Sequence, residues 1–281
     1  MQHFDSGRRG SSRFAPSRGP VQPQPAETAD FLAITRIHQT LIVDGESAAH
    51  TISAAAQDSI RSFQQAYPAA MHTLWTKEML HEFMSQHFGN EVVRAFETLK
   101  PYTYKSDLAR YCLLYAMGGL YSDIGIQHFA PLHIPREYKI AGFIESYLAK
   151  KNKYDISSGF LYAQPKAAVL ELAINRIVEN CRTRFFGKTA IDPTGPGLLG
   201  WAWASVYTDQ WSRGAAGDQY LGLSEIVDLV EGKLEMMFLP TGRERHVIAR
   251  RLARPQGDLR YLGNTGRGNY AQMWRERDIY Q

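Results

Sequence analysis

Apolar and polar positions along this chain change period in a regular way. Phe31-Leu32-Ala33-Ile34 leads into Arg36-Ile37-His38-Gln39-Thr40, a short run suited to a first strand and its exit. Residues 45–67 read as helical and stop at Pro68, which cannot continue a helix. Met71-His72-Thr73-Leu74-Trp75 reads as a second strand, and Lys77 to Phe88 as an amphipathic helix closed by Gly89. A further helical stretch covers Val92 to Leu99. From Tyr104 to Met117 the apolar positions Leu108, Tyr111, Cys112, Leu114, Tyr115 and Met117 keep helical spacing, and Gly118-Gly119 ends the run. Leu120 to Ile126 reads as a strand, as do Ile140 to Tyr147 and Gly159 to Tyr162. Pro165 to Arg182 and Gly195 to Tyr207 read as helices. The segment Val247 to Gln281 gives no clear period. Strands alternating with helices predict an α/β fold, with a mixed or parallel sheet flanked by helices. No linker and no internal repeat follows residue 30, so residues 29–281 read as one domain.

Composition adds little until the N-terminus is set apart. Residues 1–28 are rich in Gly, Ser, Arg, Pro and Gln and offer little to bury, which predicts a disordered arm. The chain as a whole is ordinary: 44% hydrophobic and 21% charged, enough for a sizeable core. Net charge is +4, with basic residues gathered in the arm and between Arg243 and Arg260. A mild excess of this kind suits an anionic small molecule, or loose peripheral contact with a membrane. The arm is short and no nucleic-acid reading motif follows it, which argues against a nucleic-acid partner. Cys112 and Cys181 stand outside any C-x-x-C or C-x-x-H pattern, so neither a zinc site nor a disulfide scaffold is expected. No apolar run is long enough to span a membrane, and residues 1–26 lack the apolar stretch of a secretory signal. These features fit a cytoplasmic enzyme.

The chemistry concentrates between Tyr104 and Ile126. Asp107 and Arg110 lie three apart near a helix start and share one face. Gly118-Gly119 allows a sharp backbone turn. Asp123 then follows a strand, and in open α/β sheets ligands bind beyond the carboxyl ends of strands. Each piece has a plain alternative: a surface ion pair, a helix cap, a turn carboxylate. The string as a whole is far more specific.

That string resembles the DXD sugar-nucleotide-binding region of retaining glycosyltransferases of GT-A type, the group that includes yeast mannosyltransferases and the large clostridial glucosylating toxins. Ser106, Asp107, Arg110, Leu114, Gly118, Gly119, Tyr121 and Asp123 match the pattern. Ile37-His38-Gln39-Thr40 resembles the family's first strand, Ser157-Ser158-Gly159-Phe160 a later stretch with Ser158 where Asn is usual, and Thr194-Gly195-Pro196 its T-G-P motif. Asn269 to Trp274 resembles a final aromatic region. The resemblance implies transfer of a sugar from a UDP- or GDP-sugar to a glycan, lipid-linked or protein acceptor, with retention, as in polysaccharide biosynthesis. It implies Asp107 and Asp123 as catalytic. It also implies a donor site of His38, Gln39, Asp107, Arg110, Gly119, Tyr121, Asp123, Thr194, Gly195 and Trp274. In that site Asp123 meets ribose and a Mn²⁺ or Mg²⁺ ion. Arg267, between two glycines, adds a cation for the departing diphosphate.

One position departs from the pattern. Gly125 replaces the motif's second aspartate, and a glycine offers a hard cation only its carbonyl. Three readings follow: metal held by Asp123 with a carboxylate from elsewhere, diphosphate neutralised by Arg and Lys without metal, or an inactive relative that only binds sugar nucleotide or glycan. The composition of the arm leaves a further alternative, a secreted effector that glycosylates a host protein.

Overall fold

Strand β1 (Arg36–Leu41) lies between β2 (Met71–Thr76) and β3 (Gly119–Ser122), parallel to both. This is a computed structural model that describes residues 31–43, 54–145, 155–212, 217–228, 234–239, 247–252 and 266–281. The arm expected at 1–28 lies outside the described residues. Among those described, β4 (Ile126–His128), β5 (Ile140–Glu145), β6 (Phe160–Ala163), β7 (Gln219–Asp228), β8 (Leu234–Leu239) and β9 (Ala249–Leu252) complete one mixed sheet. Its order is β2-β1-β3-β6-β5-β7-β8-β9-β4. The α/β architecture expected from periodicity is present.

The helices are α1 (Ala54–Ala66), α2 (Lys77–His87), α3 (Asn90–Thr98), α4 (Tyr102–Met117), α5 (Ala168–Thr183), α6 (Pro196–Ser212) and α7 (Tyr270–Arg275). Apolar residues of α2 to α6, among them Leu80, Phe96, Leu108, Leu113, Ile177 and Leu199, pack in one core with Tyr121 and Leu161 of the sheet. Phe63 of α1 packs on the opposite face with Ile37, Leu120, Phe143, Phe160 and Phe238. Fully burying one such side chain contributes about 1.5–3 kcal/mol, so the two layers fix the sheet firmly. Within α4 nearly every position from Tyr104 to Leu114 is buried. A helix buried on several faces is held rigidly, which matters because it carries Asp107 and Arg110.

Two local features differ from the periodic reading. The single strand expected over 120–126 is two short strands broken by a turn. The Asp123 amide donates to the Gly159 carbonyl (2.8 Å), and the Ile126 amide donates back to the Asp123 carbonyl (2.9 Å). The turn ends β3 at Ser122 and leaves the Asp123 side chain beyond the strand. The other feature is the extent of the sheet after residue 217, where β7 to β9 had no clear sequence signature. Their antiparallel run returns β9 to β4, with Arg251 in register opposite Ile126. The sheet must curl for this, since β4 follows β3 by one turn yet stands at the other end of the strand order.

The glycine pair is a backbone requirement. Gly118 caps α4 at φ +65°, its amide donating to the Leu114 carbonyl (2.8 Å). Gly119 sits at φ +107°, and a Cβ there would lie 2.7 Å from the Arg36 carbonyl oxygen. Only glycine allows that approach of β3 to β1. Gly119 therefore opens β3, at the opposite end of the strand from Asp123, and its role is in strand pairing rather than at the implied donor site.

Candidate functional site

The first turns of α4 present Ser106, Asp107 and Arg110 toward the carboxyl end of β3. Arg110 is 3% exposed in its side chain and fully engaged. Its Nε donates to the Ser106 carbonyl (3.1 Å), Nη1 to the Ser158 carbonyl (2.7 Å) and Nη2 to the Ser106 hydroxyl (2.9 Å). The guanidinium lies over the Tyr121 ring at 4.4 Å. It pairs with Asp107 Oδ1 (3.3 Å) and Asp123 Oδ1 (3.2 Å), so one cation links the two motif carboxylates.

Asp107 is buried and both of its oxygens are taken. Thr194 Oγ1 donates to Oδ2 (2.8 Å) and Ser158 Oγ to Oδ1 (3.2 Å). Burial pushes its carboxyl up from the usual range, against the opposing pull of Arg110, Thr194 and Ser158. Thr194 precedes α6 at the T-G-P motif, and Tyr111 of α4 donates to its carbonyl (3.1 Å). The T-G-P segment is thus brought to Asp107. The Gly195 amide, however, donates to the Ile191 carbonyl (3.1 Å), and Pro196 has none, so those first positions offer no amide to a ligand.

Asp123 is the part of this cluster that solvent reaches. Its Oδ1 accepts from the Tyr121 hydroxyl (3.0 Å), which also meets Thr40 Oγ1 (2.9 Å) and Ser106 Oγ (3.2 Å). Its Oδ2 is ion-paired with Arg251 Nη2 of β9. Side-chain exposure rises from 3–4% at Arg110 and Asp107 to 18% at Asp123 and 35% at Arg251. A ligand therefore meets Asp123 and Arg251 first, with Arg110 and Asp107 behind them. Gly159 makes room for this: a Cβ there would lie 2.6 Å from Asp123 Oδ2 and 3.0 Å from Arg251 Nη2.

A second acidic group lies beside Asp107. Glu145 ends β5, its amide donating to the Asp155 carbonyl (2.9 Å), and both side chains are buried. Burial raises the Glu145 carboxyl from 4.5 to about 7, with Asp155 adding to the rise. The folded protein thus holds this proton more tightly than the unfolded chain does. Its contribution to stability is present below pH 4.5 and is lost as pH rises through about 7. Glu145→Gln should remove that loss. Between about pH 5 and about pH 8, wild-type unfolding free energy in urea should fall by up to about 3 kcal/mol more than that of the variant. Equal pH slopes would contradict the assignment.

Several residues implied by the resemblance lie elsewhere. His38 uses both ring nitrogens internally: Nε2 donates to the Gly118 carbonyl (3.0 Å) and Nδ1 accepts from the Trp75 indole (3.2 Å). Burial lowers it to about 4, so it is a neutral brace between β1, β2 and the end of α4. Gln39 is buried; its Oε1 accepts from His72 Nε2 (2.8 Å), while its Nε2 has no partner. The Trp274 indole donates to the Phe186 carbonyl (2.7 Å) and ties α7 to the chain after α5. Its neighbour Tyr270 is the residue of that segment that reaches the site, packing on Tyr104 (ring centroids 5.9 Å) within the field of Arg251, Asp107 and Glu145. Arg267 lines a separate groove of about 600 Å³ with Lys77, Lys105, His81, Phe96 and Glu97. In that groove it helps burial lower Lys105 to about 8.

Against this geometry, residues 53–140 match the family described as "Glycosyltransferase sugar-binding region containing DXD motif". The span runs from the residue before α1 to the first residue of β5. It contains Ser106, Asp107, Arg110, Tyr121 and Asp123. The chain carries a glycosyltransferase sugar-binding region. The match covers under half of the chain, and glycosyl transfer is the activity it supports. No curated protein matches the chain. Among solved structures, the PaToxG glycosyltransferase aligns over 64% of this chain and 71% of its own, at 16% identity and a TM-score of 0.46. That likeness is too low to bear on residue roles.

Glycosyltransferases of the DXD type generally bind a divalent metal, and the residues here can be tested against that requirement. A hard cation needs several oxygen ligands. Gly125 supplies no side chain, and both Asp123 oxygens are paired with guanidinium groups. Gln127 Oε1 accepts from Arg250 (2.9 Å). His128 is enclosed by Phe63 (3.9 Å), Tyr67 and Phe160, with Nε2 against Ser122 Oγ (3.3 Å). No group of three or more His, Cys, Asp or Glu side chains among the described residues is placed to hold a metal. Among the described residues, the donor set does not fit a resident divalent ion. No helix of the described residues is long and apolar enough to cross a membrane.

Proposed function

We propose that this glycosyltransferase moves a sugar from a UDP- or GDP-sugar to a glycan, lipid-linked or protein acceptor, with retention of anomeric configuration. The observation that carries the reading is the cluster at the carboxyl end of β3. There the motif residues Tyr121, Asp123, Arg110 and Asp107 are joined in one hydrogen-bonded unit. Its solvent-facing members are a carboxylate and a guanidinium. A carboxylate accepts the hydroxyls of a ribose or sugar, and a guanidinium meets phosphate oxygens in a matched geometry.

In this reading the protein's contribution is positioning and charge. As the glycosidic bond to the diphosphate breaks, negative charge gathers on the leaving group, and fixed cations around it lower the barrier. Arg110 cannot swing away, because Ser106, Ser158, Asp107 and the Tyr121 ring hold it. Asp107 acts through Arg110 and Thr194 and is a positioning residue. Asp123 is the carboxylate placed to touch the donor.

The test is incubation of the full chain with a panel of UDP- and GDP-sugars, following nucleoside diphosphate release and the anomer formed by proton NMR. Release from one donor class with the donor's own anomeric configuration in the product is expected. Release with the inverted configuration would contradict retention, and failure to bind any donor would overturn the donor site. Gly125 favours a second reading, a relative that holds the donor without transferring its sugar. It predicts binding with no release on any acceptor class.

A further inference from the structure

We propose that Arg251 takes the place of the divalent cation in this site, so that the donor's diphosphate is held without metal. The inference rests on the donor reading above and concerns what neutralises the diphosphate. Charge supplies the first argument. A divalent ion together with a second motif aspartate would present one net positive charge to the diphosphate. This chain has glycine at 125 and a guanidinium at 251, which presents the same net charge.

Position supplies the second argument. Arg251 reaches the site because β9 pairs with β4, directly after the motif turn, with Arg251 in register opposite Ile126. Its Nη2 pairs with Oδ2 of Asp123, whose side chain is partly exposed. It is the most exposed member of the cluster, while Arg110 behind it is sealed. Gly159 keeps the space between Asp123 and Arg251 clear of a side chain. A planar guanidinium anchored on one edge by a carboxylate is oriented for phosphate oxygens, which is a preference of arginine rather than lysine.

Steric room supplies the third. A Cβ added at Gly125 meets no heavy atom within 4 Å. The glycine is therefore not imposed by packing, and an aspartate fits there. This allows the site to be converted and the two chemistries to be compared in one protein.

The experiment is calorimetric titration of the full chain with UDP and GDP, in EDTA and in Mn²⁺, with thermal unfolding to confirm folding. Wild type should bind one nucleotide equally in both conditions. Arg251→Gln should weaken that binding by about tenfold to a hundredfold, the loss of one charge-assisted contact. Arg251→Gln combined with Gly125→Asp should recover binding in Mn²⁺ and not in EDTA. Wild-type binding that requires Mn²⁺, or unchanged binding in a folded Arg251→Gln, would overturn the inference and leave the donor site standing. Absence of binding to either nucleotide by wild type in both conditions would sink the donor reading itself.

Discussion

Replacing Asp107 by alanine is expected to lower stability by about 3–5 kcal/mol, because it leaves a buried guanidinium without its nearest counterion. Arg110 is 3% exposed and cannot turn to water when its partner is removed. Thr194 Oγ1 and Ser158 Oγ would lose their acceptor at the same time. For a chain of this size about 2–4 °C of melting temperature accompanies each kcal/mol, so a fall of roughly 6 °C or more is expected in a thermal melt. Asp107→Asn keeps an acceptor oxygen for one of the two hydroxyls, Thr194 or Ser158, and should fall less. A melt of Asp107→Ala that superposes on wild type would mean that Asp107 does not hold Arg110.

Asp123→Ala is expected to act in the opposite way, with a large effect on turnover and a small one on stability. Asp123 is partly exposed, and its loss leaves Arg110 with Asp107 and Arg251 with access to water. The donor would lose a carboxylate contact and the anchor that orients Arg251. Removing one preorganised group of this kind costs about a hundredfold in rate. Nucleoside diphosphate release from the preferred donor should therefore fall by about that factor while the melting temperature changes little. A variant with wild-type release would show that the donor lies elsewhere.

Much of this was legible before the fold was known, and for identifiable reasons. Long periodic runs gave α4 and α5 to within a few residues, since an apolar stripe at helical spacing must face a core. The motif string from Ser106 to Asp123 carried the site, because its residues are local in sequence and meet in space within one helix–strand unit. Direction was harder to read. His38 and Thr40 share one face of β1, yet His38 braces Gly118 and Trp75 while Thr40 meets the site through Ser106 and Tyr121. The resemblance named His38 and Gln39 of that strand, whereas Thr40 is the side chain that meets the motif cluster.

Arg251 is one arginine among nine from residue 243 onward, and nothing near it in sequence marks it. Its role arises from the β4–β9 register, across more than a hundred residues of chain. Glu145 ends a strand that periodicity located, but its raised carboxyl depends on burial and on Asp155. The strands after residue 217 read weakly because their partners, β5 and β4, lie far away in sequence. Their short apolar runs lack the long amphipathic stripe that marked the helices. Trp274 and Tyr270 show the same limit at closer range: the aromatic cluster was visible, and packing decided that Tyr270 rather than Trp274 approaches Arg251.

The location of the donor site is the central claim, and hydrogen–deuterium exchange of the full chain with and without UDP and GDP tests it most directly. Binding at the end of β3 should slow exchange in residues 119–128 and 247–252, which carry Asp123 and Arg251. Protection confined to residues 77–105, along the groove of Lys77 and Lys105 where Arg267 lies, would contradict the account and move the nucleotide to that groove.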